Sequence, residues 1–438
     1  MKSHFLISAP SSNSGKTTVT LGLLRALSKR GLKVQPFKCG PDYIDPLHHT
    51  HASGNVSINL DTFMASKSHV QEQYQSYSQA ADVSVTEGVM GLFDGAHKMK
   101  GSSAEIAELL HIPVILVMDA RSMAYSVAPL LFGLKNFRKE INVAGVIFNF
   151  VNTASHYSFL KDACADVGIE PLGYLPKNEE LKIPSRHLGL HISEETDYEA
   201  IIENAACAIA ESVDLDRLLE ITKADKQEAV SKPIFLPKQN QKIAIARDEA
   251  FAFTYHQNIR VLSSLGQIEW FSPLHDSVMP TADFLYLPGG YPELYADELS
   301  QNHSMRQSIQ DYCENGGLTY AECGGLMYLG ENLTNSQGEK FAMADVLKCS
   351  TTMQNTKMTL GYRTAQWADL EYKGHEFHYS DFETNDLGNL PIQCRNAKGI
   401  ETDTKLYRHK NTFASYMHVY WGENGNFIKK LLKLSANS

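Results

Sequence analysis

Short apolar runs alternate with longer amphipathic stretches along the first half of the chain, and each run has the length of a β-strand. The runs lie at 4–8, 33–38, 83–86, 113–118 and 143–149. Apolar strands that are separated by helix-like segments are typical of a parallel sheet with helices on both faces. The pattern therefore predicts an N-terminal α/β domain with a mostly parallel sheet.

A second alternating pattern begins at residue 242 and continues towards the C-terminus. It follows a charge-rich segment, 223–241, that contains two prolines. Such a composition is typical of an interdomain linker. We therefore expect two α/β domains, 1–222 and 242–438, joined by the linker 223–241.

The composition is that of a large enzyme, because 43% of the 438 residues are hydrophobic and 21% are charged. The net charge of −10 argues against nucleic acid as the main partner. No run approaches the roughly 18 consecutive apolar residues of a membrane span, and the first apolar run is too short for a signal peptide. The seven cysteines are scattered, which indicates neither a disulfide framework nor a zinc site. We expect a cytoplasmic enzyme without a nucleic-acid or membrane partner.

The segment 4–31 runs from a short apolar strand through a loop of small residues into an amphipathic helix. The loop ends in Ser14-Gly15-Lys16-Thr17-Thr18, the core of a phosphate-binding P-loop. In such a loop the backbone N–H groups surround phosphates, the lysine reaches the β- and γ-phosphates, and the next hydroxyl binds Mg²⁺. Pro10 replaces the usual first glycine, and Ser12 and Asn13 also depart from the pattern. We expect residues Asn13 to Thr18 to bind ATP, with Thr17 as a ligand of Mg²⁺.

Four acidic residues follow predicted buried strands, in turns that are rich in glycine or proline: Asp42, Asp45, Glu87 and Asp94. Parallel sheets bind ligands at the carboxyl ends of their strands, and Mg²⁺ prefers oxygen ligands. We therefore expect Asp45 and Glu87 to bind the metal ion together with Thr17. Asp42 and Asp94 are further candidates for oxygen ligands of Mg²⁺.

The run LTYAECGGLMYL (318–329) changes from strand-like to helix-like at Cys323. A sharp strand-to-helix turn exposes the residue at its tip and directs the following N–H groups to the same point. We predict that Cys323 is a nucleophile whose thiolate is stabilised by the helix N-terminus; a buried structural cysteine is the alternative. Upstream, FLYLPGGYPEL (284–294) predicts a strand that ends in a two-glycine turn. We expect Gly290 and Gly324 to form an oxyanion hole.

A further strand-like segment, TFASYMHVYWG (412–422), carries His418, whose side chain titrates in the range needed to take the thiol proton. The cysteine turn, the two-glycine turn and this histidine together resemble a class I glutamine amidotransferase domain. In most of that class a glutamate lies two residues after the histidine, where this chain has Tyr420. Glu423 is poorly spaced for the same role. We therefore predict a Cys323–His418 dyad that releases ammonia from glutamine, with its third group unassigned.

Motifs along nearly the whole chain resemble those of the cobyrinate a,c-diamide synthase family: SGKTT, GPDYIDP, EGVMGLFDG, RHLGL, ARDEAFAF, LPGGYPE, AECGGLMYL and GHEFHYS. Members of this family amidate the a- and c-acetate side chains of a cobalt corrinoid with ATP, Mg²⁺ and glutamine, and their N-terminal domain resembles dethiobiotin synthetase. The resemblance implies that ATP phosphorylates a carboxylate and that ammonia attacks the acyl phosphate. It also implies that Asp42, Asp45 and Asp94 form a loop region for substrate or metal, and the sequence does not separate these two roles. Finally, it places Asn149 where related ligases contact adenine; an asparagine that caps a turn is the competing interpretation.

The motifs do not exclude several related substrates and reactions. Hydrogenobyrinic acid and nickel-sirohydrochlorin differ from cobyrinic acid mainly in the macrocycle and its metal. Cobyric acid synthase shares the two-domain plan but is usually longer, and GPDYIDP and RHLGL favour the a,c-enzyme. A partition-type P-loop ATPase is a distant alternative, because such proteins carry an additional lysine where this chain has Pro10-Ser11.

A macrocycle with many carboxylates is expected to meet cationic side chains. Lys38, Arg121, Arg186 and His187 are the candidates, and the alternative is that they are solvated surface charges. The partners implied by the resemblance are the corrinoid, ATP and glutamine. The sequence does not fix the oligomeric state, and a homodimer is one option.

Overall fold

A computed structural model describes residues 2–181, 183, 198–224 and 240–435 of the chain. The chain divides into two compact units, Met1–Lys232 and Pro233–Ser438. The division falls within the expected linker, 223–241. Lys223 and Ala224 nevertheless form a short strand that pairs with the first strand of the chain, so these two residues belong to the sheet of the first unit.

The first unit is built on a sheet whose strands are parallel except for the last. The strands are β1 (Lys2–Ser8), β2 (Val34–Cys39), β3 (Ile58–Leu60), β4 (Val83–Glu87), β5 (Val114–Asp119), β6 (Val143–Asn149), β7 (Glu170–Leu175) and β8 (Lys223–Ala224). Their order is β3-β2-β4-β1-β5-β6-β7, and β8 pairs antiparallel with β1. The apolar runs of the sequence correspond to β1, β2, β4, β5 and β6, so the predicted parallel sheet is confirmed.

Helices connect these strands and bury their apolar faces. They are α1 (Lys16–Lys29), α2 (Ile44–Ser53), α3 (Lys67–Ser78), α4 (Ser103–Leu110), α5 (Val127–Asn136), α6 (Ala154–Val167), α7 (Tyr198–Ser212) and α8 (Leu215–Ile221). Val19, Leu23 and Leu27 of α1 are fully buried in the core with the sheet. Because β1 lies between β4 and β5, the segments that follow these three strands lie at one edge of the sheet.

The described residues of the second unit, 240–435, form three sheets. Its strands are β9 (Gln241–Ala246), β10 (Gly266–Phe271), β11 (Phe284–Leu287), β12 (Leu318–Glu322), β13 (Asn332–Thr334), β14 (Lys340–Ala342), β15 (Cys349–Thr352), β16 (Thr359–Trp367), β17 (Leu370–His378), β18 (Asp381–Asn385), β19 (Ile392–Asn396), β20 (Tyr407–His409), β21 (Thr412–Ser415) and β22 (His418–Tyr420). The central sheet has the order β10-β9-β11-β12-β21-β20 and is parallel except for β20. The predicted second α/β domain is therefore confirmed.

Two smaller sheets, β14-β13-β15-β18 and β19-β16-β17-β22, accompany the central one. The helices of the unit are α9 (His256–Leu265), α10 (Ala296–Gln301), α11 (His303–Glu314), α12 (Gly324–Leu329) and α13 (Asn426–Ser435). A large aromatic cluster, which includes Tyr286, Tyr320 and Trp421, fills the core between the central sheet and the β16–β17 hairpin. In the part of the chain that the structure describes, no helix has the length and apolar character to cross a membrane.

The strand expected around His418 is two strands in different sheets. β21 pairs with β12 of the central sheet, whereas β22 pairs with β17. The break follows from Ser415, whose hydroxyl donates to the carbonyl of Lys405 and accepts the N–H of Met417. The chain therefore leaves the central sheet just before His418, and the histidine comes from the neighbouring sheet.

Candidate active sites

The P-loop connects β1 to α1 and curls around the N-terminus of that helix. Asn13 and Gly15 adopt left-handed backbone conformations, with φ of 64° and 90°. The hydroxyl of Ser14 donates to the carbonyl of Ser11 at 3.0 Å, and that of Thr18 donates to the carbonyl of Leu181 at 3.4 Å. These turns fold the backbone of the loop in front of the helix N-terminus, where an anion is favoured.

Lys16 is 8% exposed, and its ammonium lies across the loop. It donates to the carbonyl oxygens of Ser11, at 3.3 Å, and Met90, at 2.6 Å. Carbonyl oxygens are weaker partners for an ammonium than phosphate oxygens. A bound triphosphate would therefore compete well for this side chain.

Asn149, at the end of β6, packs against the P-loop. A β-carbon at Gly15 would lie 2.0 Å from its Nδ2, so only glycine fits there. Nδ2 donates to the carbonyl of Ser14 at 3.1 Å, and Oδ1 accepts the N–H of Phe150 at 3.0 Å. Both ends of the amide therefore bond the backbone, as in the turn-capping interpretation, and the side chain supports the loop. Contact with adenine stays a prediction.

A buried ionic cluster, formed by Lys38, Asp45, His49 and Glu87, lies beside the P-loop. The Lys38 ammonium is 2.5 Å from Asp45 Oδ2 and 3.1 Å from Glu87 Oε1, and His49 Nε2 is 2.6 Å from Glu87 Oε2. The exposed fraction of each of the four side chains is 3% or less. Burial alone would raise the pKa of Glu87, but the charge of Lys38 and the bond from His49 hold it below its usual range.

The residues next to the P-loop fit a Mg²⁺ ion. Thr17 Oγ1 and Glu87 Oε1 are 2.8 Å apart. Adjacent ligand oxygens around an octahedral Mg²⁺ are separated by roughly 2.9 Å, since each bond is about 2.1 Å long. Among the described residues no group of three or more His, Cys, Asp or Glu side chains could hold a metal ion. Mg²⁺ is usually held by one or two side chains with substrate phosphates and water, so the Thr17–Glu87 pair suits it.

The three aspartates of the expected loop region have different surroundings. Asp45 lies in the first turn of α2 and not in a loop, because Asp42 Oδ1 accepts the N–H groups of Ile44 and Asp45 and starts the helix. The placement of Asp45 in a loop was therefore wrong. Asp94 is exposed, and its Oδ2 accepts the N–H of Gly91 at 3.1 Å, which closes a turn.

The cationic side chains that were candidates for contact with the macrocycle also have different surroundings. Lys38 is neither a surface charge nor open to a large ligand, because it is buried with Asp45 and Glu87. Arg121 is exposed, bonds Asp119 and lies over the ring of Phe150 at 4.6 Å. Arg186 and His187, with the motif RHLGL, lie outside the described residues.

Cys323 occupies a sharp turn between β12 and α12, with φ of 47° and ψ of −104°. Its N–H donates to the carbonyl of Ser415 at 2.8 Å, and its carbonyl accepts the N–H of Met327 at 3.0 Å. A β-carbon at Gly325 would lie 2.3 Å from the carbonyl oxygen of Leu287. The strand-to-helix turn expected from the sequence is therefore present, and its glycine allows the turn to pack directly against β11.

The two-glycine turn after β11 packs against both the Cys323 turn and His418. A β-carbon at Gly324 would be 3.0 Å from the backbone nitrogen of Gly290, and one at Gly289 would be 2.3 Å from Cε1 of His418. The structure thus brings together the three segments that the sequence analysis selected. Gly290 and Gly324 are adjacent, as an oxyanion hole built from their N–H groups requires.

The expectation of a stabilised Cys323 thiolate is wrong for this structure. Burial raises the pKa of the Cys323 thiol, the carboxyl of Glu293 raises it further, and the N–H of Gly324 offsets only part of this. The thiol is 5% exposed, so desolvation of the charged form outweighs the short helix that follows. Burial also raises the pKa of Glu293, to about 7. A nucleophile at this position therefore needs a base.

His418 is fully buried, and its ring stacks on that of His375 at 5.1 Å between centroids. Burial, followed by the neighbouring His375 and His378, holds the pKa of His418 well below its usual range. The ring is therefore neutral, and burial makes it a weaker base than an exposed histidine. Tyr420 packs edge-on against Tyr255 at 5.4 Å.

Sequence reasoning missed two buried neighbours of the site residues. His49 bonds Glu87 in the first unit, and Glu322 lies beside His418 in the second. Glu322 directly precedes the predicted nucleophile, but nothing in the local pattern shows that its side chain reaches a histidine 96 positions later. No sequence signal could have identified His49 among the three histidines of 48–51.

Both halves of the chain match known domain families. Residues 5–190 match the CobQ/CobB/MinD/ParA nucleotide binding domain, and residues 242–426 match the CobB/CobQ-like glutamine amidotransferase domain. The two matches follow each other in the order of the two units.

Relatives of similar length span nearly the whole chain. A cobyrinate a,c-diamide synthase of Listeria innocua is 41% identical over 97% of this chain and 98% of its own length. Another cobyrinate a,c-diamide synthase, from Picrophilus torridus, is 40% identical over 99% of this chain and 98% of its own length. A hydrogenobyrinate a,c-diamide synthase of Brucella anthropi is 40% identical over 95% of this chain and 98% of its own length. The chain therefore belongs to the cobyrinate and hydrogenobyrinate a,c-diamide synthase family, as a glutamine-dependent ligase with an ATP-binding P-loop domain.

Proposed function

We propose that this ligase amidates the a- and c-acetate carboxylates of cobyrinic acid in cobalamin biosynthesis, with ATP, Mg²⁺ and glutamine. The observation that carries the proposal is that each compact unit holds its own assembled group of reactive side chains. One group, around Lys16 and Glu87, suits phosphoryl transfer; the other, around Cys323 and His418, suits release of ammonia. Full-length relatives with this named activity support the pairing of the two reactions.

In the first unit the substrate carboxylate would be activated with ATP. A carboxylate oxygen attacks the γ-phosphorus, the bond to the β-phosphate oxygen breaks, and ADP leaves. Lys16 would offset negative charge on the transferring group, and the N–H groups of Asn13 to Thr18 would hold the phosphates. Mg²⁺, held by Thr17 and Glu87, would supply further charge neutralisation. Ammonia then attacks the acyl phosphate, and inorganic phosphate leaves.

In the second unit Cys323 would attack the side-chain amide of glutamine. As the S–C bond forms, the thiol proton passes to His418, and the oxyanion is bound by the N–H groups of Gly290 and Gly324. His418 returns the proton to the nitrogen as the C–N bond breaks, which releases ammonia and leaves a thioester. Water hydrolyses the thioester to glutamate. The raised pKa of Cys323 makes this transfer to His418 necessary.

A panel of macrocycles tests the proposal. Cobyrinic acid, hydrogenobyrinic acid and nickel-sirohydrochlorin are each incubated with ATP, Mg²⁺ and glutamine, and products are scored by mass for two amidations. We expect cobyrinic acid to be converted with the highest kcat/KM. Failure of all three substrates would contradict the proposal.

Hydrogenobyrinic acid is the second candidate substrate. The observation that favours it is that the Brucella anthropi relative named hydrogenobyrinate a,c-diamide synthase and the Picrophilus torridus relative named for cobyrinate are both 40% identical to this chain. Preferred conversion of hydrogenobyrinic acid in the same panel would establish it. Preferred conversion of nickel-sirohydrochlorin would assign the chain to that reaction instead.

A further inference from the structure

His418 has a carboxylate neighbour on the strand that carries the nucleophile. Glu322 is the last residue of β12, directly before Cys323, and its Oε2 lies 3.8 Å from Nδ1 of His418. The exposed fractions of the two side chains are 1% each. Carboxylate and imidazole therefore face each other in the interior of the second unit.

Glu322 is held in place from both neighbouring segments. Its Oε1 accepts the N–H of Val419 at 2.8 Å, and its Oε2 accepts the hydroxyl proton of Tyr286 at 2.9 Å. Val419 directly follows His418, so the carboxylate also fixes the backbone beside the histidine. The position of this carboxylate is thus determined by β11 and β22 and not by a mobile loop.

Other acidic or hydroxyl groups nearby are committed elsewhere. Tyr420, at the usual position of the acid, packs edge-on against Tyr255. Glu376 is 2.5 Å from the guanidinium of Arg363 in a buried ion pair. Glu322 is the carboxylate that the structure places within ion-pair distance of a ring nitrogen of His418.

We propose that Glu322 is the positioning residue of the glutaminase site: its carboxylate accepts the Nδ1–H of His418, which leaves Nε2 to receive the proton of Cys323. It also offsets the charge of the imidazolium that forms. The role rests on the proposed function of Cys323 and His418, and it resembles that of the acid in a catalytic triad. The 3.8 Å separation is longer than a hydrogen bond, and such contacts tighten when substrate is bound.

The charge state of the pair agrees with this role. Burial raises the pKa of Glu322 to about 8, and the bonds from Val419 and Tyr286 offset only part of the shift. Ionisation of Glu322 alone is therefore unfavourable. Protonation of His418 alone is also unfavourable. An imidazolium beside the carboxylate favours both changes together. The contact to Val419, in contrast, does not require a charge, because a glutamine could accept the same N–H.

Glu322→Gln separates the two roles. The amide keeps an acceptor for Val419 and presents an NH₂ group to His418, which favours the tautomer with the proton on Nε2. We expect the glutaminase kcat to fall by about 100- to 10,000-fold, as when the acid of a triad becomes an amide. The KM for glutamine should change by less than about 3-fold, and ammonium-dependent amidation should be unchanged. A kcat within about 3-fold of wild type would overturn the proposal.

Tyr286→Phe is the matched control. It removes one donor to the same carboxylate and leaves the charge beside His418, so the glutaminase kcat should stay within about 5-fold of wild type. An equal loss in both variants would show that Glu322 has only a structural role.

A second measurement needs no substitution at Glu322. In ¹⁵N NMR of the full chain at about pH 9, where most of the Glu322 carboxyl is ionised, neutral His418 should carry its proton on Nδ1. A proton on Nε2 would overturn the proposal even if Glu322→Gln does not fold.

Covalent labelling distinguishes this proposal from the function on which it rests. A glutamine analogue with a diazoketone in place of the amide should alkylate Cys323 in the wild type and react much more slowly in Glu322→Gln. Equal rates in the two proteins would overturn only the role of Glu322. No alkylation of Cys323 in the wild type would overturn the proposed glutaminase site itself.

Discussion

The imidazole of His418 lies directly over Gly289, and a β-carbon at Gly289 would be 2.3 Å from its Cε1. The next residue, Gly290, is within contact distance of Gly324, which directly follows the proposed nucleophile. The two-glycine turn thus contacts both the histidine and the turn that carries the cysteine. Any side chain in this turn would push the proposed base away from the proposed nucleophile.

Gly289→Ala is therefore expected to displace His418. The displacement should lower the glutaminase kcat by about 5- to 150-fold, if the about 1–3 kcal/mol that overpacking of this kind costs is added to the barrier. Amidation with ammonium salts, measured in the same preparation, should be retained. Gly388→Ala is the control, because a β-carbon there would meet only the carbonyl of Arg408 at 3.4 Å. Wild-type glutaminase activity in Gly289→Ala would show that the ring position is unimportant.

The two proposed half-reactions should be separable by single substitutions. Cys323→Ala should lower glutamine-dependent synthesis by at least about 1000-fold and leave synthesis with ammonium salts. Lys16→Ala should lower both syntheses by about 100-fold or more and spare basal glutaminase activity. Product formation by mass spectrometry and glutamate release are the measurements. If Cys323→Ala abolished both syntheses, the cysteine would be structural.

Asn149→Ala tests whether the asparagine supports the P-loop or reads the base. Because its amide bonds Ser14 and Phe150, we expect the KM for ATP to rise by about 5-fold, which corresponds to one lost buried hydrogen bond of about 1 kcal/mol. The preference for ATP over GTP should not change. Loss of that preference would favour contact with adenine.

The parts of the sites that the sequence predicted are those encoded in short motifs. Lys16 and Thr17 follow a strand and open a helix, and Cys323 lies in a strand-to-helix turn, so a few neighbouring residues determine their positions. The parallel sheet could also be predicted from the sequence, because its buried strands have continuous apolar runs.

The parts that the sequence did not reveal depend on contacts between distant residues. Glu322 reaches His418 because β22 leaves the central sheet, and no local pattern encodes that exchange. Lys38 was expected to be a surface cation or a ligand contact, but the fold places Asp45 and Glu87 around it. The pKa of Cys323 was misjudged for the same reason, since burial is a property of the whole unit.

The raised pKa of Glu322 predicts a pH dependence of stability in the second unit. An unfolded glutamate has a pKa of about 4.3, and the folded value is about 8. The folded state binds this proton more tightly, so the stabilisation is complete below about pH 4 and is lost as the pH rises through about 8. The free energy of unfolding should therefore fall over this interval, by at most about 1.4 kcal/mol per pH unit from this residue.

Glu322→Gln should reduce that slope. The three tryptophans, Trp270, Trp367 and Trp421, all lie in the second unit, so their fluorescence in urea reports its unfolding. The lowered pKa of His418 makes the free energy of unfolding rise with pH below about pH 6.5, which opposes the effect of Glu322. Because both proteins contain His418, the difference between their free energies of unfolding reports the contribution of Glu322. Parallel curves for the two proteins would contradict the assigned shift.

Coupling between glutamine hydrolysis and amidation can be measured by following the glutamine nitrogen into the macrocycle. Cobyrinic acid is incubated with ATP, Mg²⁺ and glutamine labelled with ¹⁵N in its amide, in the presence of unlabelled ammonium, and the product is examined by mass spectrometry. We expect a diamide that contains two ¹⁵N atoms, with two ADP formed per product. A product whose amides match the isotope ratio of the medium, or no diamide at all, would contradict this expectation.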